Sequence, residues 1–435
     1  MARASWVVLG ACVVACSSTP MMRAAESGDR AALRQAIAAR AAHGTLSNSE
    51  AASLARSVAA HDLATASRDD AIARVRDVLP CARELDGALS SRMTTHDAAG
   101  AAAALARLDA RRWDLDDARR YAGDADPAWR AVGARALVRA ADRRARLSAL
   151  ADGNPLVRRE AARAARDARD AADVQSLSEA ARLDPEPIVR TEAVRALAAL
   201  SGAGIADALR DLWTSGDEGL REDIATAWSS PSLWDAGGRE ALRVLVASGH
   251  GPGAIEGAAA VLRHADAGAE LVSLAIGRLV ESIRSGAPVT RLQAIAQAPI
   301  DRPALLPLLE AVRASAKDDD EQVRIGALTR LAGRAGPGAV DAKGAVESLE
   351  VLAQPGSAVG AQARFALGSA GDRRVQAWLE QDLASPDASD RLAAATALAD
   401  LGVAARAAPL LGDDDPSVRG RAACTLLMAD RTERH

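Results

Sequence analysis

Apolar positions along this chain recur every three or four residues, in short runs that stop and start again. The clearest run follows Asp184-Pro185-Glu186-Pro187. There Val189, Ala193, Ala196, Leu197 and Leu200 fall on one side of a helix. The two prolines stand where a helix begins but cannot continue. One such stripe is too narrow and too short to be stable alone, so it requires a second layer. The pattern is written repeatedly: a turn with Asp, Gly or Pro, then an apolar residue and arginine, then small residues three and four later. The arginine falls at Arg130, Arg158, Arg190, Arg221, Arg291, Arg324, Arg391 and Arg419, with Glu256 and Gly360 in its place in two weaker copies, at intervals of 28 to 36 residues. A faint further copy centres on Ala98. Between copies lies a second helical segment, residues 205–213 or 345–353 for example. Two helices per unit at this period predict an all-α protein, an α-solenoid of about ten stacked helical hairpins.

Before the repeats, residues 24–112 read as an N-terminal helical cap region, with the solenoid proper over 113–435. Ser47 or Ser49 caps a helix carrying Leu54, Val58 and Leu63 on one face. Ser67 with Asp70 opens the next helix. Pro80 ends it and opens another, with Cys81, Leu85, Ala88 and Leu89 on one face. The first residues differ: Arg3 precedes an apolar run from Trp6 to Val14, of signal-peptide length and too short to span a bilayer.

Composition sharpens this picture. The chain has 435 residues, 49% hydrophobic and only 2% aromatic. Alanine therefore carries the apolar content, and it suits closely approaching helices with thin seams better than one large core. The formal net charge of −4 argues against nucleic-acid binding, which shows an excess of Lys and Arg.

Two resemblances rest on particular residues. Val13-Val14-Ala15-Cys16 resembles the lipobox of bacterial lipoproteins. It implies a signal peptide over residues 1–15, lipid on Cys16 and a tether over 16–23. Acyl chains would hold the protein to a membrane. Asp414-Asp415-Pro416-Ser417-Val418-Arg419 with Ala422 and Ala423 resembles the HEAT-like repeat, in the short form of phycobilisome-lyase-type proteins. Asp126 to Arg130 and Asp184 to Arg190 resemble it too. The resemblance implies that the Asp caps the second helix of each hairpin and that the Arg reaches a neighbouring repeat.

Candidate chemistry is sparse. The six histidines are scattered without metal-ligand spacing, and no His-Glu dipeptide of the iron-binding HEAT-repeat hydroxylases occurs. Gly251 to Gly257 reads as a flexible inter-helix loop, because Pro252 removes an N–H that a phosphate loop would need. Trp213, Trp228 and Trp234 read as core filling around an enlarged repeat. The inner face of the superhelix offers Arg135, Arg163 and Arg195 early and Leu292, Ile325, Phe365 and Leu392 late: either the apolar ones contact the next repeat and the arginines are solvated, or the wall turns from basic to apolar and grips a partner protein. In an open stack, Cys81 and Cys424 lie at opposite ends, roughly 80–100 Å apart at 8–10 Å per packed helix, and remain free thiols. The expectation is a lipid-anchored scaffold of the bacterial cell envelope, at the outer membrane. It would bind an unidentified partner protein, with no cofactor, metal or catalysis. The rival expectations are an enzyme of bilin-lyase-like type and a purely structural spacer.

Overall fold

Several second helices of the hairpins start with the same device. Asp126 accepts a hydrogen bond from the Ala128 amide (2.8 Å), Asn154 from Leu156 (2.9 Å), and Asp415 from Ser417 (2.8 Å). Proline follows at the first helical position in all three. The side chain satisfies one of the helix's orphan N–H groups, and proline has no N–H to waste there. The computed structural model describes residues 19–200, 203–215, 218–302, 305–333 and 339–433. The lipobox-like Val13 to Cys16 lies outside them. Among the described residues the structure is helical throughout, with no strand.

At several repeats the signature arginine ties its turn to the next repeat. Arg158 Nη1 donates to the carbonyls of Asp152 (2.9 Å) and Gly153 (3.2 Å), closing the turn before its own helix. Its other two nitrogens grip both oxygens of Asp184, at 2.7 and 2.9 Å, in the following repeat. Arg130 repeats this with Asp152, and Arg391 with Asp413. A planar guanidinium serves both tasks at once, which a lysine cannot. Burial opposes the charge of Asp184, but Arg158 and the Glu186 amide outweigh it and hold the carboxyl below its ordinary range. Asp152 is lowered chiefly by its hydrogen bond from Arg130. This stabilisation is present above the ordinary aspartate pKa and is lost as pH falls through the lowered values.

Second helices then stack on one another: Pro127–Arg135 on Pro155–Ala168, that on Pro187–Ala199, and onward through Glu218–Trp228 to Gly251–Arg263. The seams are thin and alanine-rich, with Ala161, Ala162, Ala164 and Ala165 wholly buried in one helix. Residues 251–257 are not the expected loop: they open the helix Gly251–Arg263. The glycines there serve close approach. A Cβ on Gly253 would meet the Trp213 ring and the Arg221 Cβ at 2.9 Å, and one on Gly257 would meet Leu245 at 2.8 Å. The tryptophans fill core as expected. Trp228 is buried against Trp213 (5.5 Å between rings) and donates to the Ala206 carbonyl. Trp234 stacks on His264 at 3.8 Å and donates to Asp266.

The largest departure from expectation is the closure of the array. The N-terminal region comprises α1 (Pro20–Ser27), α2 (Arg30–Ala42), α3 (Asn48–Thr65), α4 (Arg68–Asp77), α5 (Asp86–Met93) and α6 (Ala98–Asp109). At one end α6 packs on the first clear repeat, Pro127–Arg135; at the other α3 packs along the last helix, Pro416–Glu433. These two helices run antiparallel, since Arg419 grips Asp62 (2.8 and 3.0 Å) while Glu433 meets Asn48. Arg419 is the last signature arginine. With no following repeat it takes an N-terminal carboxylate instead. Arg34 binds the Gly412 carbonyl (2.9 Å) and Asp414 (3.0 Å), Ser417 binds Asp77 (3.0 Å), and Arg431 binds Glu84 (3.1 Å).

Cys81 and Cys424 are joined in a disulfide, with Cα atoms 5.2 Å apart. The expectation of two free, distant thiols is therefore overturned. A linear count of helix spacings ignores the rotation between successive hairpins, and here those rotations sum to a full turn. The N-terminal region is not a cap on one end but the segment that joins both. One hydrophobic core runs from Ala24 to Leu427, with a smaller cluster around Trp129.

Candidate binding cavity

The sequence-derived candidates on the inner face divide into two groups. Ile325 is buried at 6% exposure, and Leu292, Phe365 and Leu392 are partly buried against the core. Leu292 reaches the next repeat, where a Cβ on Gly326 would come within 2.6 Å of it. The row therefore contributes to packing, and Leu392 also lines a small cavity with Pro80 and Met428. Phe365→Ser is expected to lower folding stability by about 1–3 kcal/mol, read as a shift in the thermal midpoint. An unchanged midpoint would return Phe365 to the surface.

The arginines are close to carboxylates. Arg135 binds Asp109 (3.1 Å) and Asp167 (2.8 Å); Arg163 binds Asp109 (2.7 Å) and Glu160 (2.9 Å); Arg195 binds Asp223 (2.9 Å) and Glu192 (3.4 Å). Glu160 itself is fully buried. Burial works against the Arg163 charge, but Glu160 and Asp109 raise its pKa above the ordinary arginine value. The inner wall is thus a lattice of paired charges running from Asp109 to Asp223, not the simple basic surface expected.

Beside this lattice lies a cavity of about 880 Å³. Its wall is built from the C-terminal ends of successive second helices: α6, Pro127–Arg135, Pro155–Ala168 and Pro187–Ala199. Their partial negative charge favours cations, which accounts for arginines gathering there. Arg135, Arg139 and Arg166 are ion-paired, to Asp167, Asp116 and Glu192 respectively. Arg111 and Arg169 are exposed, and among the described residues neither guanidinium has a hydrogen-bond or ion-pair partner. Asp109, Asp114 and Asp167 line the cavity as well, and Leu108, Trp113, Leu115 and Val138 supply apolar surface.

Both free arginines sit in left-handed backbone, at φ 56° for Arg111 and 52° for Arg169. Arg111 closes α6 with its amide on Leu108 and the next amide on the Arg107 carbonyl. Gly371 and Gly402 close their helices with the same bond pattern, at φ 86° and 75°. Glycine is the unstrained choice at such a position, and an L-residue there costs about 1–2 kcal/mol. Nothing in the sequence pattern marked these two residues. The signal available was an arginine at the helix end where later repeats place glycine.

Comparison with known families agrees with this architecture. Residues 143–229 match the family described as HEAT repeats, a stretch that carries Arg158, Arg190 and Arg221 of the ladder. That stretch carries HEAT-like repeats. Among solved structures it is similar to the Escherichia coli protein YibA, determined by X-ray crystallography as a structural genomics target. That likeness is 15% identical, covers 73% of this chain and 94% of the other, and has a TM-score of 0.29. No curated protein matches the chain.

Proposed function

We propose that this protein is an exported, lipid-anchored scaffold of the bacterial cell envelope that holds a partner protein on its inner face and carries out no reaction. HEAT repeats are generally protein-interaction modules, and a repeat array offers a long surface for an extended partner. The observation that carries the exported reading is the Cys81–Cys424 disulfide. Structural disulfides persist in oxidising compartments and are rare in the cytosol. It adds to the apolar segment and Val13-Val14-Ala15-Cys16 at the start of the chain. The scaffold reading is supported by the ion pairs along the inner face.

Metabolic labelling with a fatty-acid analogue tests the anchoring. Wild type is expected to take up label and Cys16→Ala to take up none; equal labelling of both contradicts the lipid on Cys16.

A further inference from the structure

We infer that the cavity at Arg111 and Arg169 is a docking site for an extended acidic peptide segment of the partner, one with an aliphatic side chain between its carboxylates. This rests on the scaffold reading and gives the partner a chemistry.

Three features point to a ligand. Most guanidinium groups along this face are already matched to carboxylates, while Arg111 and Arg169 line the same cavity and reach no partner among the described residues. An unpaired guanidinium is built to take a carboxylate through two parallel hydrogen bonds. Next, the backbone under both is held in a conformation that favours glycine, as Gly371 and Gly402 show at similar helix ends. Of the three non-glycine residues at positive φ among the described residues, these are two. Strain of this kind is characteristically retained where a side chain is needed. Finally, half-buried Trp113, with Leu115 and Val138, gives the same cavity an apolar floor. A single small anion would leave that floor uncovered, whereas an acidic–aliphatic–acidic segment covers it, and about 880 Å³ accommodates one.

The backbone supplies an unusually clean test. Arg111→Gly/Arg169→Gly removes both guanidiniums and puts glycine where glycine is preferred, so the variant is expected to melt at or above the wild-type temperature. The probe is a fluorescein-labelled peptide of alternating glutamate and leucine, followed by anisotropy, with a lysine–leucine peptide as control. Wild type is expected to bind the acidic peptide, more weakly as salt rises, and to ignore the basic one. The glycine variant is expected to bind at least tenfold more weakly. Equal binding by both proteins, or no binding by wild type, overturns the site. Displacement by free citrate at concentrations as low as the peptide's own would make it a small-anion site and overturn the peptide assignment. Capture of envelope proteins by immobilised wild type is run in parallel. If wild type and glycine variant capture the same protein equally, the scaffold reading stands and this site is wrong. If wild type captures none while still binding the peptide, the scaffold reading is what fails.

Discussion

Arg146→Met will destabilise the protein by about 3–5 kcal/mol, the cost of breaking a buried ion pair from one side. Arg146 and Asp173 are both completely buried, with Nε 2.6 Å from the carboxylate. The same guanidinium donates to the Leu137 carbonyl (3.0 Å) and the Arg139 carbonyl (3.1 Å), and approaches Asp170 at 3.3 Å. It therefore links the preceding loop to the start of the following hairpin. Methionine preserves much of the volume but leaves Asp173 charged in the interior, with only Arg143 nearby at 3.8 Å. The double change Arg146→Met/Asp173→Leu should recover a large part of the loss, because well-packed apolar replacements of buried pairs are often neutral or better. Urea denaturation of the two variants decides the matter. Equal midpoints for single and double would mean that packing, not the unpaired carboxylate, sets the cost.

The second large effect concerns the disulfide. Oxidised wild type is expected to exceed Cys424→Ala by about 2–5 kcal/mol, since the bond restricts an unfolded chain across a separation of 343 residues. Alanine is chosen because both cysteines are buried, at 0% and 4% exposure, so the variant introduces no strongly polar group and leaves Cys81 as a small, weakly polar thiol. Denaturation in dithiothreitol should bring wild type down to the variant and leave the variant where it was. If the reductant moves both alike, the bond is not the source of the difference.

The hairpins and their joints were legible in the sequence because each is a local pattern. An aspartate or asparagine before proline caps a helix within two residues. An arginine six residues after Asp152 or Asp184 closes its own turn, and Arg158 also reaches one repeat away. The closure was not legible, because it depends on the sum of many small rotations, each fixed by how near two helices come. Those distances turn on single contacts such as Gly253 against Trp213 or Gly326 against Leu292, which no local pattern displays. The cysteines gave a faint signal: Cys81 lay on an apolar face with Leu85 and Leu89, yet a partner for it existed only if the ends met. Arg146 was missed because its stretch reads as polar. The clue was an arginine three and four residues before Ala149 and Leu150, on the side of the helix that faces inward. The apolar row from Leu292 to Leu392 is legible in sequence but its role is not, since a stripe that packs on the next repeat and one that lines a groove look alike in a single chain.

That the array closes on itself is the claim on which the rest depends. The Arg419–Asp62 joint and the shared core both presuppose it. Peptide mapping tests it most directly. The protein is refolded in a glutathione buffer, alkylated, digested without reduction and analysed by mass spectrometry. The closed structure predicts one crosslinked peptide pair joining Cys81 to Cys424. Recovery of both cysteines as separate alkylated peptides would contradict it.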